Sequence, residues 1–277
     1  MEIAPGVHSI PISTWTFMGV YVPDVYLVAG KEAALIDSGF EDRDTASARI
    51  EYIKGLAPLK LAYIVVTHPH PDHIGGCRAI KKATGAPIVM HSFAAARAKR
   101  KYRVTGDILV EDGDVLDIGG IHLEIIYTPG HSPASICIYV RESKILFSGD
   151  HILGMGTTVV DAPDGDMTQY IDSLKKLLKY DISLICPGHG PPIHEAERKI
   201  RELIAHRRER ERQVLSCLRQ GRRTVARLVA EIYPELDRRL LELARRQVLA
   251  HLRKLVKENR VAVTGGGYAL RKANTNT

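Results

Sequence analysis

Short apolar, β-branched runs alternate with helical stretches over the first two-thirds of the chain. Residues 25–28, 33–36, 61–66, 87–90, 122–127, 136–140, 144–147 and 182–186 read as strands; residues 42–54, 74–84 and 168–179 read as helices. In the last of these, Tyr170, Ile171, Leu174, Leu177 and Leu178 recur at spacings of three and four, which lays them on one face. Strands interleaved with helices predict a layered α/β unit. Beyond Pro192 the texture changes. Residues 195–219 read as a long charged helix, 224–232 as a second, and 237–258 as a third with Leu241, Ala244, Val248, Leu252 and Leu255 on one stripe. Arg239, Arg246 and Arg253 recur every seven residues on a different face. VAVT, GGG and YALRK then read as two short strands around a glycine turn, and three helices followed by a hairpin is the outline of a winged helix. Two units are expected, residues 1–194 and residues 195–277.

Charge sharpens that division. From Glu195 onward Lys and Arg number 21 against 10 acidic residues, a balance of +11; the first 194 residues hold 18 against 22, a balance of −4. A basic tail on a mildly acidic body suggests a polyanionic partner or a solvated face. The four cysteines, Cys77, Cys137, Cys186 and Cys217, form no CxxC pair, so they read as small buried hydrophobes. The first twenty residues show neither a basic leader nor an unbroken apolar run, so the expectation is a cytoplasmic protein with no membrane span.

The strongest chemistry lies in residues 67–76, THPHPDHIGG, placed between an apolar strand and a helix. The carboxyl ends of strands are where an open α/β sheet presents its ligands. Imidazole together with carboxylate is a donor set for a borderline divalent ion such as zinc. One loop cannot complete a site, and three later strand ends supply the remainder: TPGH ends in His131, FSGD in Asp150, and CPGHG contains His189. For Asp72 alone, capping of the following helix is a competing role.

THPHPDHIGG followed by TPGH, FSGD and CPGHG, in that order, resembles the metallo-β-lactamase superfamily. The resemblance implies an α/β fold, a four-layer αββα sandwich over residues 1–194, followed by a small winged-helix domain over residues 195–277. It implies two metal ions, zinc first with manganese or iron as alternatives. His68, His70 and His131 would hold one and Asp72, His73 and His189 the other, with Asp150 bridging. Asp37, at the end of ALIDSG, matches a strand-end aspartate that supports the site, with a plain turn residue as the alternative. FSGDHILGMGTTVV, DISLICPGHGPPIHEAERKIRELIAHRRERE and the tail look like the β-lactamase-like protein 2 group, which includes an endoribonuclease of single-stranded RNA. Asp24, where relatives commonly carry Asn, and GHSPAS in place of a GHT segment both depart from that pattern, on the side where substrate is expected.

Two such metals lower the pKa of a bridging water toward 7, so hydrolysis is the expected reaction, with Asp150 and Asp72 as catalytic carboxylates, Asp72 orienting the nucleophile. Lactam antibiotics are not expected substrates, since Asp150 stands where the best-known zinc lactamases place a cysteine. His151 and His194 are candidate general acids, each with a supporting or capping role as the alternative. Thr157, Thr158 and the AKRKYR stretch are candidate substrate contacts; a solvated helix face is the better reading of the latter. The first reading is a phosphodiesterase cutting single-stranded RNA, assisted by Arg239, Arg246 and Arg253 of the tail. A thioester or lactone hydrolase resembling glyoxalase II, its tail serving a homodimer, is the alternative. A nucleic-acid-binding regulator and an iron-centred redox enzyme are further readings.

Overall fold

The structure, a computed structural model, describes residues 1–10, 22–56 and 58–271. Residues 13–21 of the N-terminal segment that leads to Asp24, and Lys272 at the end of YALRK, lie outside them.

Two sheets lie face to face. The first runs β1 (Glu2–Ala4), β2 (Val7–Ile10), β3 (Val25–Ala29), β4 (Ala33–Ile36), β5 (Leu61–Val66), β6 (Ile88–His91) and β7 (Ile108–Val110) in simple order. It is antiparallel as far as β4 and parallel from there to β7. The second comprises β8 (Val115–Asp117), β9 (His122–Tyr127), β10 (Ile136–Val140), β11 (Ile145–Gly149) and β12 (Leu184–Pro187), with only β11 and β12 parallel. β3, β10 and β11 are buried along nearly their whole length, which is why they read as continuous apolar runs. The edge strands β1, β7 and β8 escape the sequence reading because three residues carry too little pattern, and β2 (Val7–Ile10) escapes it with them.

Between the sheets lies a core that includes Tyr26, Ile36, Val65, Ile125, Ile138 and Phe147. On the outer face of the first sheet pack α1 (Arg43–Lys54), α2 (Pro71–Ile74), α3 (Cys77–Thr84) and α4 (Ser92–Arg97), with α5 (Met167–Leu177) and the start of α6 (Ala196–Arg219) outside the second. The result is the expected αββα sandwich. The helix expected over 74–84 begins earlier, at Pro71, and breaks at Gly75 and Gly76. A Cβ at Gly76 would stand 2.3 Å from the Ser38 carbonyl oxygen, so only glycine lets the two segments pass.

The tail adds α7 (Val225–Ile232), α8 (Leu241–Lys257) and the hairpin β13 (Val261–Thr264) with β14 (Gly267–Leu270) around a separate core of Leu218, Leu228, Val248, Leu252, Leu255 and Val261. The third helix starts at Leu241, the first residue of the stripe, and not at the expected residue 237, because residues 238–240 form a 3₁₀ turn capped by Asp237. Helix α6 serves both cores: Ile200, Leu203 and Ile204 pack on the second sheet's helical layer, Val214, Leu215 and Leu218 on the tail. Ala250 of α8 joins the former core, so the tail is packed on the sandwich. Among the described residues no helix is long and apolar enough to cross a membrane. Cys77, Cys137 and Cys186 are free and buried, and Cys217 is half-buried.

Candidate metal centre

Each candidate side chain leaves the carboxyl end of a buried strand: His68 and His70 after β5, His131 after β9, Asp150 after β11 and His189 after β12. Pro71 occupies the first position of α2, where its missing N–H costs no hydrogen bond and its fixed φ starts the turn that carries Asp72 and His73. The capping position falls on His70, and Asp72 directs its carboxylate sideways, so the capping role does not describe it.

Two donor groups result: His68, His70, His131 and Asp150; and Asp72, His73 and His189. In the first, His70 Nδ1 lies 2.9 Å from His68 Nε2 and 3.0 Å from His131 Nε2. In the second, Asp72 Oδ2 lies 3.2 Å from His189 Nε2 and 3.6 Å from His73 Nε2. Asp150 stands between them. Its Oδ2 faces His68 and His131 at 3.9 and 3.7 Å, while Oδ1 faces His73 and His189 at 3.3 and 3.4 Å.

These residues fit a pair of divalent cations. His73 Nε2 and Asp150 Oδ1 are buried with no hydrogen-bond partner among the described residues, although each points at the centre. Outward nitrogens are held by other groups, which turns the lone pairs inward. His68 Nδ1 lies 3.0 Å from Thr67 Oγ1, which itself donates to Asp37 Oδ2, and His131 Nδ1 lies 2.7 Å from the Val159 carbonyl. Burial holds His68 well below the usual imidazole range and His70 at about 4, so both are neutral donors. Burial alone would raise Asp150, but His73, His68 and His189 outweigh it and keep the carboxylate charged. Burial likewise opposes the charged form of Asp72, and His73 and His189 again prevail.

Three further residues frame the cluster. Asp37 adopts φ +61°, a conformation costly for a residue with a Cβ, and in return its carboxylate accepts from the Thr67 N–H at 2.7 Å and lies 2.7 Å from His73 Nδ1. Asp37 is thus a support of the site, and the plain-turn alternative falls. Gly188 leaves room for the bridging carboxylate: a Cβ there would stand 2.6 Å from Asp150 Oδ1. Asp24 donates its backbone N–H to the Gly188 carbonyl at 2.7 Å, and burial raises its carboxyl to about 6 against the pull of His189.

Residues 18–189 match the model of the metallo-beta-lactamase superfamily. The chain belongs to that superfamily. Residues 224–269 match the beta-lactamase associated winged helix domain. Among curated relatives, a beta-lactamase-like protein 2 homolog of Caenorhabditis elegans is 32% identical over 200 residues, covering 71% of this chain and 65% of that protein. An atrochrysone carboxyl ACP thioesterase of Aspergillus fumigatus is 30% identical over 198 residues, 71% of this chain and 59% of its own length. The chain thus spans less than two-thirds of either relative. A metallo-beta-lactamase family protein from Thermus thermophilus shares the fold at TM-score 0.80 and 23% identity, over 98% of this chain and 100% of that one. A beta-lactamase domain protein from Burkholderia ambifaria does so at 0.81 and 22%, over 98% and 93%. Superfamily membership is matched by a candidate metal site in the two donor groups.

Around the metallo-beta-lactamase centre, several expectations change. His151 is 1% exposed, its ring 4.8 Å from that of Tyr170, and burial lowers it to about 3. An imidazole neutral at working pH and sealed from solvent is not a general acid. His194 is exposed in the turn before α6. Thr158 is buried, so it is no substrate contact, while Thr157 is exposed. AKRKY forms a π-helical turn, Ala98–Tyr102, beside α2; Lys99, Arg100 and Lys101 are exposed on it. Of the three tail arginines, Arg239 pairs with Asp237 and Arg246 with Glu242 and Asp161, while Arg253 lines a cleft of about 520 Å³ between the tail and residues 162–169. Sequence reasoning missed Gly188 and the Val159 carbonyl. The glycine that precedes each of His131, Asp150 and His189 is a signal for the first, and nothing local signals the second.

Proposed function

We propose that the protein is a two-metal hydrolase of thioesters. The observation that carries the mechanism is Asp150, whose two oxygens face the two donor groups separately. His68, His70, His131 and Asp150 Oδ2 would hold one ion; Asp72, His73, His189 and Asp150 Oδ1 the other. Zinc suits this imidazole and carboxylate set, with manganese or iron as alternatives. When bound, such a pair supplies Lewis acidity toward the scissile carbonyl and a water acidic enough to attack near neutral pH.

The chain's own groups do the rest. The contacts of Asp72 to His73 and His189 both use Oδ2, which leaves Oδ1 to orient the attacking water and take its proton. Asp72 and Asp150, with side chains 20% and 13% exposed, mark the open side of the site, whereas His68 and His73 close its floor. Asp37 and Thr67 fix the imidazoles, so the donors need no reorganisation during reaction.

Substrate class rests on two observations. A relative 30% identical is named a thioesterase. The tail, which would have to neutralise phosphates in an RNA enzyme, has many of its cations in ion pairs, such as Arg223 and Arg227 with Glu231, and it packs its third helix on the sandwich through Ala250. A second reading, cleavage of single-stranded RNA, is favoured by Lys99, Arg100 and Lys101, which make no ion pair among the described residues and stand beside the helix that carries Asp72. Hydrolysis of S-D-lactoylglutathione and of a labelled single strand by one metal-analysed preparation, each at low and high salt, separates the two. The thioester reading expects salt-insensitive turnover of the first and no cleavage of the second; the reverse pattern overturns it.

A further inference from the structure

Residues 157–160 run beside His131 of the first donor group without joining either sheet. Their backbone nevertheless sets one of its imidazoles. The Val159 carbonyl lies 2.7 Å from His131 Nδ1, and Thr158 Oγ1 lies 3.3 Å from the same nitrogen. With the proton fixed on Nδ1, Nε2 offers its lone pair toward His70 and Asp150 Oδ2.

What holds this segment comes from the tail. Arg207, on α6, donates from Nη2 to the Thr158 carbonyl at 2.7 Å. Gln247, on α8, donates from Nε2 to the Val160 carbonyl at 3.3 Å. Arg207 Nη1 donates to Gln247 Oε1 at 3.0 Å and ties the two together. Three successive carbonyls are therefore taken in turn: 158 by Arg207, 159 by His131, 160 by Gln247. Arg246 continues the grip with an ion pair to Asp161 at 3.5 Å.

Arg207 is costly to keep. It is 1% exposed and makes no ion pair among the described residues; its guanidinium faces carbonyl and amide oxygens and the Tyr170 ring 5.2 Å away. A buried cation without a carboxylate is poorly compensated, and an apolar side chain of the same volume would serve packing better. A planar fork with two donors in fixed relation can hold a carbonyl and an amide at once, which lysine cannot do.

We propose that Arg207 and Gln247 are positioning residues for the metal centre: by gripping the Thr158 and Val160 carbonyls they fix the Val159 carbonyl, and through it the tautomer and orientation of His131. The C-terminal unit is then a working part of the hydrolase, acting on the first donor group and leaving His73 of the second, whose outward nitrogen faces Asp37, untouched.

The test compares the full-length protein with Arg207→Met, Arg207→Lys and Gln247→Ala. Metal affinity is read by chelator competition for each of two bound cobalt ions, with the cobalt absorption spectrum, and the His131 tautomer by ¹⁵N shifts of the metal-free protein. Arg207→Met is expected to weaken one of the two ions by about 10- to 100-fold, the range for loss of a group that orients a ligand. The other ion should keep its affinity, and His131 should become a mixture of tautomers. Arg207→Lys should restore only part of the affinity, and Gln247→Ala should show a smaller shift of the same kind. Should Arg207→Met fail to fold, Gln247→Ala and Arg207→Lys carry the test. Equal weakening of both ions in step with a lower Tm, or wild-type affinities and an unchanged tautomer in folded variants, would overturn the proposal. These readouts need no substrate, so they stand whether the scissile bond is a thioester or a phosphodiester.

Discussion

In the strand-end loops of the sandwich, three aspartates and five histidines meet in a largely buried cluster open on one side, and among the described residues the three aspartates form no ion pair with Lys or Arg. In the C-terminal unit the commoner charges are arginines, and they lie at the surface in pairs such as Arg201 with Glu197 and Arg227 with Glu231. The first arrangement stores unmet coordination: Asp72 and Asp150 kept charged beside His68 and His70 kept neutral, a donor set that a cation satisfies. The second contributes little energy per pair and serves solubility or packing. Formal charge is therefore a poor guide to where the chemistry is. The basic tail attracts notice in the sequence, yet the residue in it with the strongest claim on the site, Arg207, is buried.

Substitutions can break that contrast in order of expected size. Asp150→Ala removes the oxygens shared by both donor groups, and turnover should fall by roughly 10³-fold, as for loss of a preorganised electrostatic group. Steady-state rates with metal content measured on the same sample check it, and wild-type turnover with full metal would refute the bridging role. Leu252→Ala hollows the core of the tail and should cost about 2–5 kcal/mol of its stability. If the tail holds the Thr158–Val160 carbonyls as argued, metal affinity should fall with it in a denaturant series that leaves the sandwich folded. Gly188→Ala pushes a methyl against Asp150 and the His73 ring, and a displacement of that kind is expected to cost about 10²-fold in kcat. Asp37→Asn keeps the shape but removes the charge that fixes His73, which predicts roughly 10- to 100-fold weaker binding of one metal, measured by competition.

The smallest effect concerns pH. Burial would raise the Asp166 carboxyl, but Lys257 and the backbone N–H groups of Gln169 and Thr168 lower it. A group depressed in the folded state stabilises at neutral pH and loses that contribution as pH falls from its unfolded value of 3.8 through the folded one. Lys257 is mostly exposed, so the pair is worth at most about 1 kcal/mol. Asp166→Asn, which preserves the cap of α5, should flatten by that amount the loss of stability as pH falls below about 4. An unchanged acid limb in thermal melts would remove the pair from any account of how tail and sandwich adhere.

Much of the site is legible in the sequence because its geometry is local to strand ends. An apolar run, a glycine and then a donor, three times over, states that a side chain leaves a buried strand toward one edge, and THPHPDHIGG adds two prolines that fix the turn. Helices α5 and α8 are legible for a similar reason: a stripe every three to four residues reports one buried face. Edge strands β1, β7 and β8 were not, since three residues against a single neighbour leave no period to read.

Composition and order along the chain determined which residues can ligate, that the body is α/β and that a winged helix follows. Tertiary structure alone decided that each oxygen of Asp150 faces a different donor group, that His151 and Thr158 are sealed away, and that α6 is shared between two cores. It alone joined Arg207 to a carbonyl 49 residues distant and Gln247 to one 87 distant. Periodicity encodes which face of an element is buried. It carries no record of the partner that buries it, because that contact is chosen by the packing of whole layers and not by neighbours in the chain.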